Sequence, residues 1–297
     1  MKVSPDCVPC LMRRVFFQSL LPENGRERES VEAGLKTYAE NIAWNRNSAE
    51  LATIVHRSAY EALGVTDPYH ELKVRADDIA SGYLDRVEKF VDSSDDRFTA
   101  AVRVSIIGNV MDFGSGISID DPDEFEGMFE SLLEQGVGSD DTEVLRDLVG
   151  ASDTVLYLFD NCGESQFDKV LIRELKRSGK RVVGVVKGKP ILNDVTREDA
   201  ERIGLDKELD RVLTTNTFAI GINIKEIGED LRDEIKRAGV AIAKGMANFE
   251  SLSDEDIGIP VVYLLRAKCI PVAGLLGVEV GTNVVRVQST FRCGGNI

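Results

Sequence analysis

Histidine is almost missing from this sequence: the 297 residues include two. A metal site here would have to draw mainly on carboxylate and amide oxygens, hard ligands suited to Mg²⁺ or Mn²⁺. Cysteine is also sparse, five in an odd set, which fits a reducing compartment better than a disulfide framework. Positive charge is in deficit, with 36 Lys and Arg against 51 Asp and Glu and a formal net charge of −15. Binding a polyanion needs a face dominated by phosphate-neutralising cations, so no nucleic acid polymer is expected as a partner. A local basic pocket for one small phosphate is compatible with that balance. No apolar run approaches the length of a membrane span. The N-terminal "CLMRRVFFQSLL" is interrupted by Arg13 and Arg14 and lacks a small-residue cleavage site after it. The expectation is a cytoplasmic protein with no membrane partner. Nothing in the sequence signals an oligomeric state.

What is present is the composition of an ordinary globular chain, 43% apolar and 29% charged. From Met1 to about Val91 the apolar spacing is helical, as in "VEAGLKTYAENIAW" and "AELATIVHRSAYEAL". Gly64 is placed to cap the second of these, and "TDPYHELK" reads as a turn and helix start capped by Thr66 or Asp67. "RFTAAVRVSIIG" is apolar enough for a strand, but its length and alanine content favour a buried helix. A Gly-rich polar loop, "GNVMDFGSG", follows, then an acidic stretch read as linker plus short helix. From about Thr154 short β-branched runs appear: "TVLYLF", "KRVVGVV", "RVLTT", "PVVYLL" and "NVVRVQ". Helical segments separate the earlier ones, including "IGEDLRDEIKRAGVAIAKGM", and Thr196 to Asp199 resembles a capping box. The fold expected is α/β, a mostly parallel Rossmann-like sheet flanked by helices. The division expected is a helical domain over 1–95 and an α/β domain over 96–297.

In such sheets ligands bind beyond the carboxyl ends of the strands. The residues found there are Asp160, Asn161 and Glu164 after "TVLYLF", and Lys187, Asn193 and Asp194 after "RVVGVV". Asn216 follows "RVLTT", and Arg266 and Lys268 follow "VVYLL". Each alone serves equally well as a helix cap, a turn residue or a solvated charge. Their joint placement on one edge points to metal and phosphate chemistry. Asp160, Asn161 and Asp194 supply hard oxygens, and Arg266 and Lys268 supply positive charge for a phosphoryl group. A bound divalent ion would acidify water and offset charge on the phosphoryl oxygens.

At these residues the chain resembles the damage-control phosphatase family, long known as the domain of unknown function 89. The matching segments are "CVPC" at 7–10, "GNVMDFG" at 108–114, "DNCGESQFD" at 160–168 and "VKGKPILNDVTREDA" at 186–200. "KGMANFESL" at 244–252 and "LLRAKCIPVA" at 264–273 complete the series, which spans almost the whole chain. The N-terminal CxxC resembles the prokaryotic branch. The resemblance implies metal-dependent hydrolysis of small-molecule phosphate esters, including damaged or surplus sugar phosphates and nucleotides. It implies metal ligands at Asp160, Asn161 and Asp194, and a phosphate-binding lysine at Lys268. Other branches carry Arg-Thr-x-Lys there; this chain has Leu265-Arg266-Ala267-Lys268, so the lysine alone is carried over. The expected cofactor is a divalent ion, Mn²⁺ or Ni²⁺ ahead of Co²⁺ or Mg²⁺. Glu164 is expected to orient the attacking water or to support the metal site, with Asp160 and Asn161 also counted as catalytic. Asn109, Asp112, Lys187, Asn248 and Glu250 are expected to contact substrate or build the pocket.

Three rival readings can be ranked. An aspartyl-phosphate enzyme with Asp160 as nucleophile usually has a second Asp two residues on, where this chain has Cys162. A non-catalytic sugar-phosphate or nucleotide sensor would use the same strand-end residues. A dinucleotide-binding dehydrogenase is disfavoured, because "GVVKGKP" lacks the Gly-rich fingerprint. "CVPC" is half of a zinc knuckle with no second half, and two partly buried thiols near a helix start is the preferred reading.

Overall fold

The structure, a computed structural model, describes residues 1–114 and 118–288; Cys293 lies outside them. Six helices come first: α1 (Cys7–Leu20), α2 (Glu27–Asn41), α3 (Ser48–Leu63), α4 (His70–Ser81), α5 (Leu84–Asp92) and α6 (Arg97–Ile107). A 3₁₀ turn at Gly108–Val110 leads on to α7 (Glu124–Glu134), β1 (Ser139–Asp140), α8 (Thr142–Gly150) and β2 (Thr154–Leu158). Then come α9 (Glu164–Arg177), β3 (Arg181–Val186), α10 (Arg197–Arg202), β4 (Arg211–Thr214), α11 (Glu229–Arg237) and β5 (Val240–Lys244). The described chain closes with α12 (Gly245–Leu252), β6 (Val261–Arg266), α13 (Ile270–Leu276) and β7 (Asn283–Gln288).

Local chemistry explains most of these boundaries. The Asn47 side chain accepts from the N–H groups of Ala49 and Glu50 to start α3, and Gly64 ends it at φ 73°. Thr196 and Asp199 form a reciprocal capping box on α10. The helix after Pro68 departs from expectation. Its N-cap is Tyr69, without a side-chain cap bond. Asp67 instead accepts from Tyr69 N and pairs with Lys73, holding the turn in front of the helix.

The seven strands form one sheet in the order β1-β7-β6-β5-β2-β3-β4, parallel except for the antiparallel β6–β7 pair. Alternate strand residues enter opposite cores. Val155, Tyr157, Val240 and Ile242 pack on one face with α6 and α9, while Leu156, Leu158, Ala241 and Ala243 pack on the other. A sheet covered on both faces needs apolar residues at nearly every strand position, which is why the runs read as continuous. Helices α1, α2 and α3 share a separate small core built on Val15, Tyr38, Leu51, Val55 and Ala59.

One element differs from its sequence reading in kind. Residues 227–246 were expected to be a single helix, but Gly239 lies between α11 and β5, which is a central strand. Val240 to Ala243 bury both faces of the sheet, and tertiary pairing with β2 and β6 overrides the helical preference of the alanines. Chain order runs outward from β2 through β3 to β4, then returns to β2's other side at β5. The switch point of the sheet therefore lies between β2 and β5, and no described helix is long and apolar enough to cross a membrane.

Candidate active site

Asp160 and Asn161 leave the carboxyl end of β2 at this switch point. The loop after β3 folds back on them: Val195 N donates to Asp160 O (2.9 Å), Cys162 N to Asn193 O (2.9 Å) and Lys187 N to Val195 O (2.8 Å). Asn161 and Asp194 thus face each other across an isolated antiparallel bridge. Both turns are anchored from behind. Asp77 accepts from Gly163 N (2.6 Å) and pairs with Arg202, and Arg202 and Lys73 both pair with Asp199 beneath Thr196.

Asp112, Asp160, Asn161, Asp194 and Glu250 line one cleft between this edge and helices α1 and α3. Asn109, Glu164, Lys187, Asn248 and Lys268 are buried and hold the lining residues or their backbone. Asn109 donates to Asp160 (3.2 Å) and Glu164 (2.9 Å), and Asn161 Nδ2 donates to Asp160 (2.8 Å) and more distantly to Glu164 (3.3 Å). Lys187 Nζ lies 3.2 Å from Asp194 Oδ2 and also donates to Gly221 O. Lys268 Nζ donates to Asn109 O (2.8 Å) and Asp112 Oδ2 (2.6 Å). Asn248 donates to the carbonyls of Phe159 and Lys244, tying the ends of β2 and β5 together. Glu250 sits toward the helices and accepts from Ser48 Oγ (2.8 Å). Arg266, expected from its place after β6 to supply charge for a phosphoryl group, instead bonds Gln135 and Asn283 through its guanidinium.

Three contributors were not singled out in the sequence. Lys244, fully buried at the end of β5, pairs with Glu164 (2.5 Å) and Asp168 (2.9 Å) and donates to Ser105 O. Reading residues 227–246 as one helix hides it, because no strand end is then expected at Lys244. Arg14 on α1 pairs with Asp112 at 2.8 Å. His56 on α3 lines the cleft. Neither helix carries a local mark that would place it over a sheet about a hundred residues downstream.

The electrostatics divide the cleft. Burial pushes the Asp160 carboxyl well above the ordinary range, and the neighbouring Asp194 and Glu164 push it further. Burial also raises Asp194, although Lys187 opposes it. Burial acts on Asp112 too, but Arg14 and Lys268 overcome it and hold its carboxyl down to about 2. One side is thus an acidic pair short of positive charge, and the other is a carboxylate shared by two cations.

That imbalance is what a divalent ion would correct. Asp194 Oδ2 is buried without a hydrogen bond, its contact with Lys187 being ionic but off-angle. Asn161 commits its Nδ2 to carboxylates, which leaves Oδ1 as the ligand atom of that amide. Among the described residues no three His, Cys, Asp or Glu side chains are grouped as a metal site on their own. The oxygen set of Asp160, Asn161 and Asp194 is two carboxylates and one amide, and its chemistry fits a hard cation.

Two glycines keep the site closed. A Cβ on Gly108 would lie 2.6 Å from Glu164 Cα, so the 3₁₀ turn bearing Asn109 can approach α9 only without one. A Cβ on Gly245 would meet Asp160 Oδ2 at 1.7 Å, and Gly245 has φ +72°. Gly245→Ala is expected to lose roughly 1–3 kcal/mol of stability in urea unfolding and to displace Asp160. Unchanged stability and activity would contradict this packing.

The CxxC pair occupies the first turn of α1, and Cys7 and Cys269 both pack against the sheet-side core while lining the cleft with Cys10. The described cysteines are all free thiols. Burial raises the Cys7 thiol and pushes Cys269 up to about 12, which suppresses the thiolate needed for exchange chemistry.

Comparison with known proteins decides the lineage. The damage-control phosphatase ARMT1-like domain matches residues 3–284. The chain belongs to the damage-control phosphatase family. It is 41% identical to a damage-control phosphatase of Archaeoglobus fulgidus, over 97% of this chain and 99% of that protein. Identity is 32% to a damage-control phosphatase of Pyrococcus horikoshii, over 98% of this chain and all of the relative. The crystal structure of a DUF89 family protein from Pyrococcus horikoshii superposes with a TM-score of 0.82 at 30% identity. That match covers 96% of this chain and 98% of the other. For a damage-control phosphatase, the sheet-edge cleft is the natural candidate for the active site.

Proposed function

We propose that the protein is a metal-dependent phosphatase that hydrolyses phosphate esters of small metabolites, such as damaged or surplus sugar phosphates or nucleotides, with water as nucleophile. The observation that carries this reading is the pairing of opposite chemistries in one cleft. Asp160, Asn161 and Asp194 converge from two neighbouring crossovers, and Asp112 on the same cleft holds Lys268, which is buried behind the lining. A divalent ion, Mn²⁺ or Ni²⁺ ahead of Co²⁺ or Mg²⁺, would supply Lewis acidity and an acidified water when held by those three residues.

The chain's own residues do the rest. Asp112 orients Lys268, which can move its ammonium from this carboxylate to an incoming phosphoryl oxygen. Arg14 then remains as the partner of Asp112, so the carboxylate is not left bare in a buried site. Glu164 has both oxygens engaged, one by Lys244 and the other by Asn109 and Asn161. That arrangement favours holding Asn161 in place over acting as a base toward water. Lys187 orients Asp194.

The test is phosphate release from an aryl phosphate by protein stripped with a chelator and reloaded with each of the four ions. The expected result is no release from the stripped protein and recovery with at least one ion. The same protein binding hexose phosphate tightly without release under any ion would establish the sensor instead.

A further inference from the structure

We infer that His56 is a specificity-determining residue, forming with the helical wall of the cleft a subsite that reads a hydroxyl on the carbon skeleton of the ester. This rests on the phosphatase reading of the site.

His56 is fully buried on α3, yet it lines the cleft that also contains Asp160, Asn161 and Asp194. Its Nδ1 lies 2.6 Å from Gln18 Oε1. With the Gln18 amide placed so that its Oε1 faces the ring, Nδ1 carries the proton and Nε2 presents a lone pair; Gln18 Nε2 beside it is likewise without a partner among the described residues. Nε2 has no hydrogen-bond partner among the described residues. A buried acceptor left unpaired costs about 1–3 kcal/mol, so such groups are normally satisfied by something. The ring is also held neutral, since burial, aided by Arg14, pushes it down to about 3. A neutral acceptor calls for a donor, and an anionic phosphate oxygen offers none.

The wall around it suits the carbon skeleton of an ester better than its phosphoryl end. Arg14 is the one Arg or Lys side chain among the described lining residues, and it is committed to Asp112. Ser48 and Glu250, bonded to each other, and Asp6 are further polar residues of the lining, among apolar neighbours such as Leu51, Ile220 and Met246. With the phosphoryl group beside Asp112, which Lys268 and Arg14 both pair, the leaving alcohol would face α3, where a hydroxyl could donate to His56 Nε2. A site built around a buried acceptor rejects the analogue lacking the donor more strongly than an apolar wall would, because the acceptor is then left bare.

The experiment compares kcat/KM for hexose phosphate, its single-deoxy analogues and phenyl phosphate, in unaltered protein and in His56→Phe and His56→Gln. In the unaltered protein at least one deoxy analogue should lose about tenfold or more. His56→Phe should abolish that discrimination while leaving phenyl phosphate within about twofold, and His56→Gln, which retains an acceptor, should restore part of it. Equal discrimination before and after substitution, or a parallel fall on all substrates, overturns the inference and leaves an enclosed water as the partner of Nε2. Should His56→Phe fail to fold, the deoxy series on the unaltered protein and on His56→Gln still decides: a flat series overturns it. If no ester is hydrolysed under any ion, the phosphatase reading has failed separately. The hydroxyl subsite is then read by thermal shift, where hexose phosphate must stabilise the protein more than phenyl phosphate does.

Discussion

Asp160→Asn is expected to cut phosphate release by about a thousandfold or more and yet leave the metal-free protein as stable as before, or more so. The sign follows from the carboxyl's environment. Burial, Asp194 and Glu164 raise it above its unfolded value. The folded state therefore binds protons more readily than the unfolded one through that window. Stability contributed by this group falls as pH rises from the ordinary carboxylate range. An amide does not titrate, so the variant should lose that slope. It can still accept from Asn109 and Asn161 through its oxygen, with its N–H₂ turned toward the neighbouring acids. Thermal unfolding with and without Mn²⁺ checks the claim. The unaltered protein should gain stability on adding the ion and the variant should not. A variant that melts far lower without metal, or that keeps its activity, would show Asp160 to be a structural residue.

Lys244→Met should have the largest effect on the fold. The substitution nearly preserves volume but strips the ammonium from between Glu164 and Asp168 and leaves Ser105 O without its donor. Burial disfavours the charged lysine, but Asp168 and Glu164 more than compensate and raise it above its ordinary value. Removing one partner of such a cluster strands the others, at a cost of about 3–5 kcal/mol. A fall in the thermal midpoint on the order of 10 °C is expected for a chain of this size. Replacing Glu164 by Gln in the same molecule should recover part of the loss, because one stranded charge disappears. A loss under about 1 kcal/mol in urea unfolding would mean that the acids are already neutral and that Lys244 is not their counter-ion.

Much of the site is legible along the chain because parallel α/β sheets put their chemistry where apolar runs stop. "TVLYLF" ending in Asp160-Asn161 and "RVVGVV" ending in Lys187 mark two strand tips without any knowledge of the third dimension. The strand Val240–Lys244 escaped the same reading because its alanines and the preceding Arg-Ala-Gly continue a helical pattern. What makes it a strand is β2 on one side and β6 on the other. Lys244 escaped with it. Arg14 and His56 escaped for another reason: each sits on an ordinary amphipathic helix, where a buried polar residue is indistinguishable from a satisfied core residue.

By itself the sequence determined the class of fold, the strand ends bearing Asp160, Asn161 and Asp194, and the oxygen-rich, histidine-poor character of the chemistry. Those properties are local, being written in short continuous apolar runs and in the residues at each boundary. Tertiary structure alone decided that β5 completes the switch point and that Lys244 neutralises Glu164 from behind. It also decided that α1 and α3 close over the edge to bring Arg14 and His56 to the cleft. Such contacts join residues far apart in the chain, 159 positions for Lys268 with Asn109 and 202 for Ser48 with Glu250. Whether two distant polar groups meet depends on how the whole sheet is wound, which the spacing within either segment does not encode.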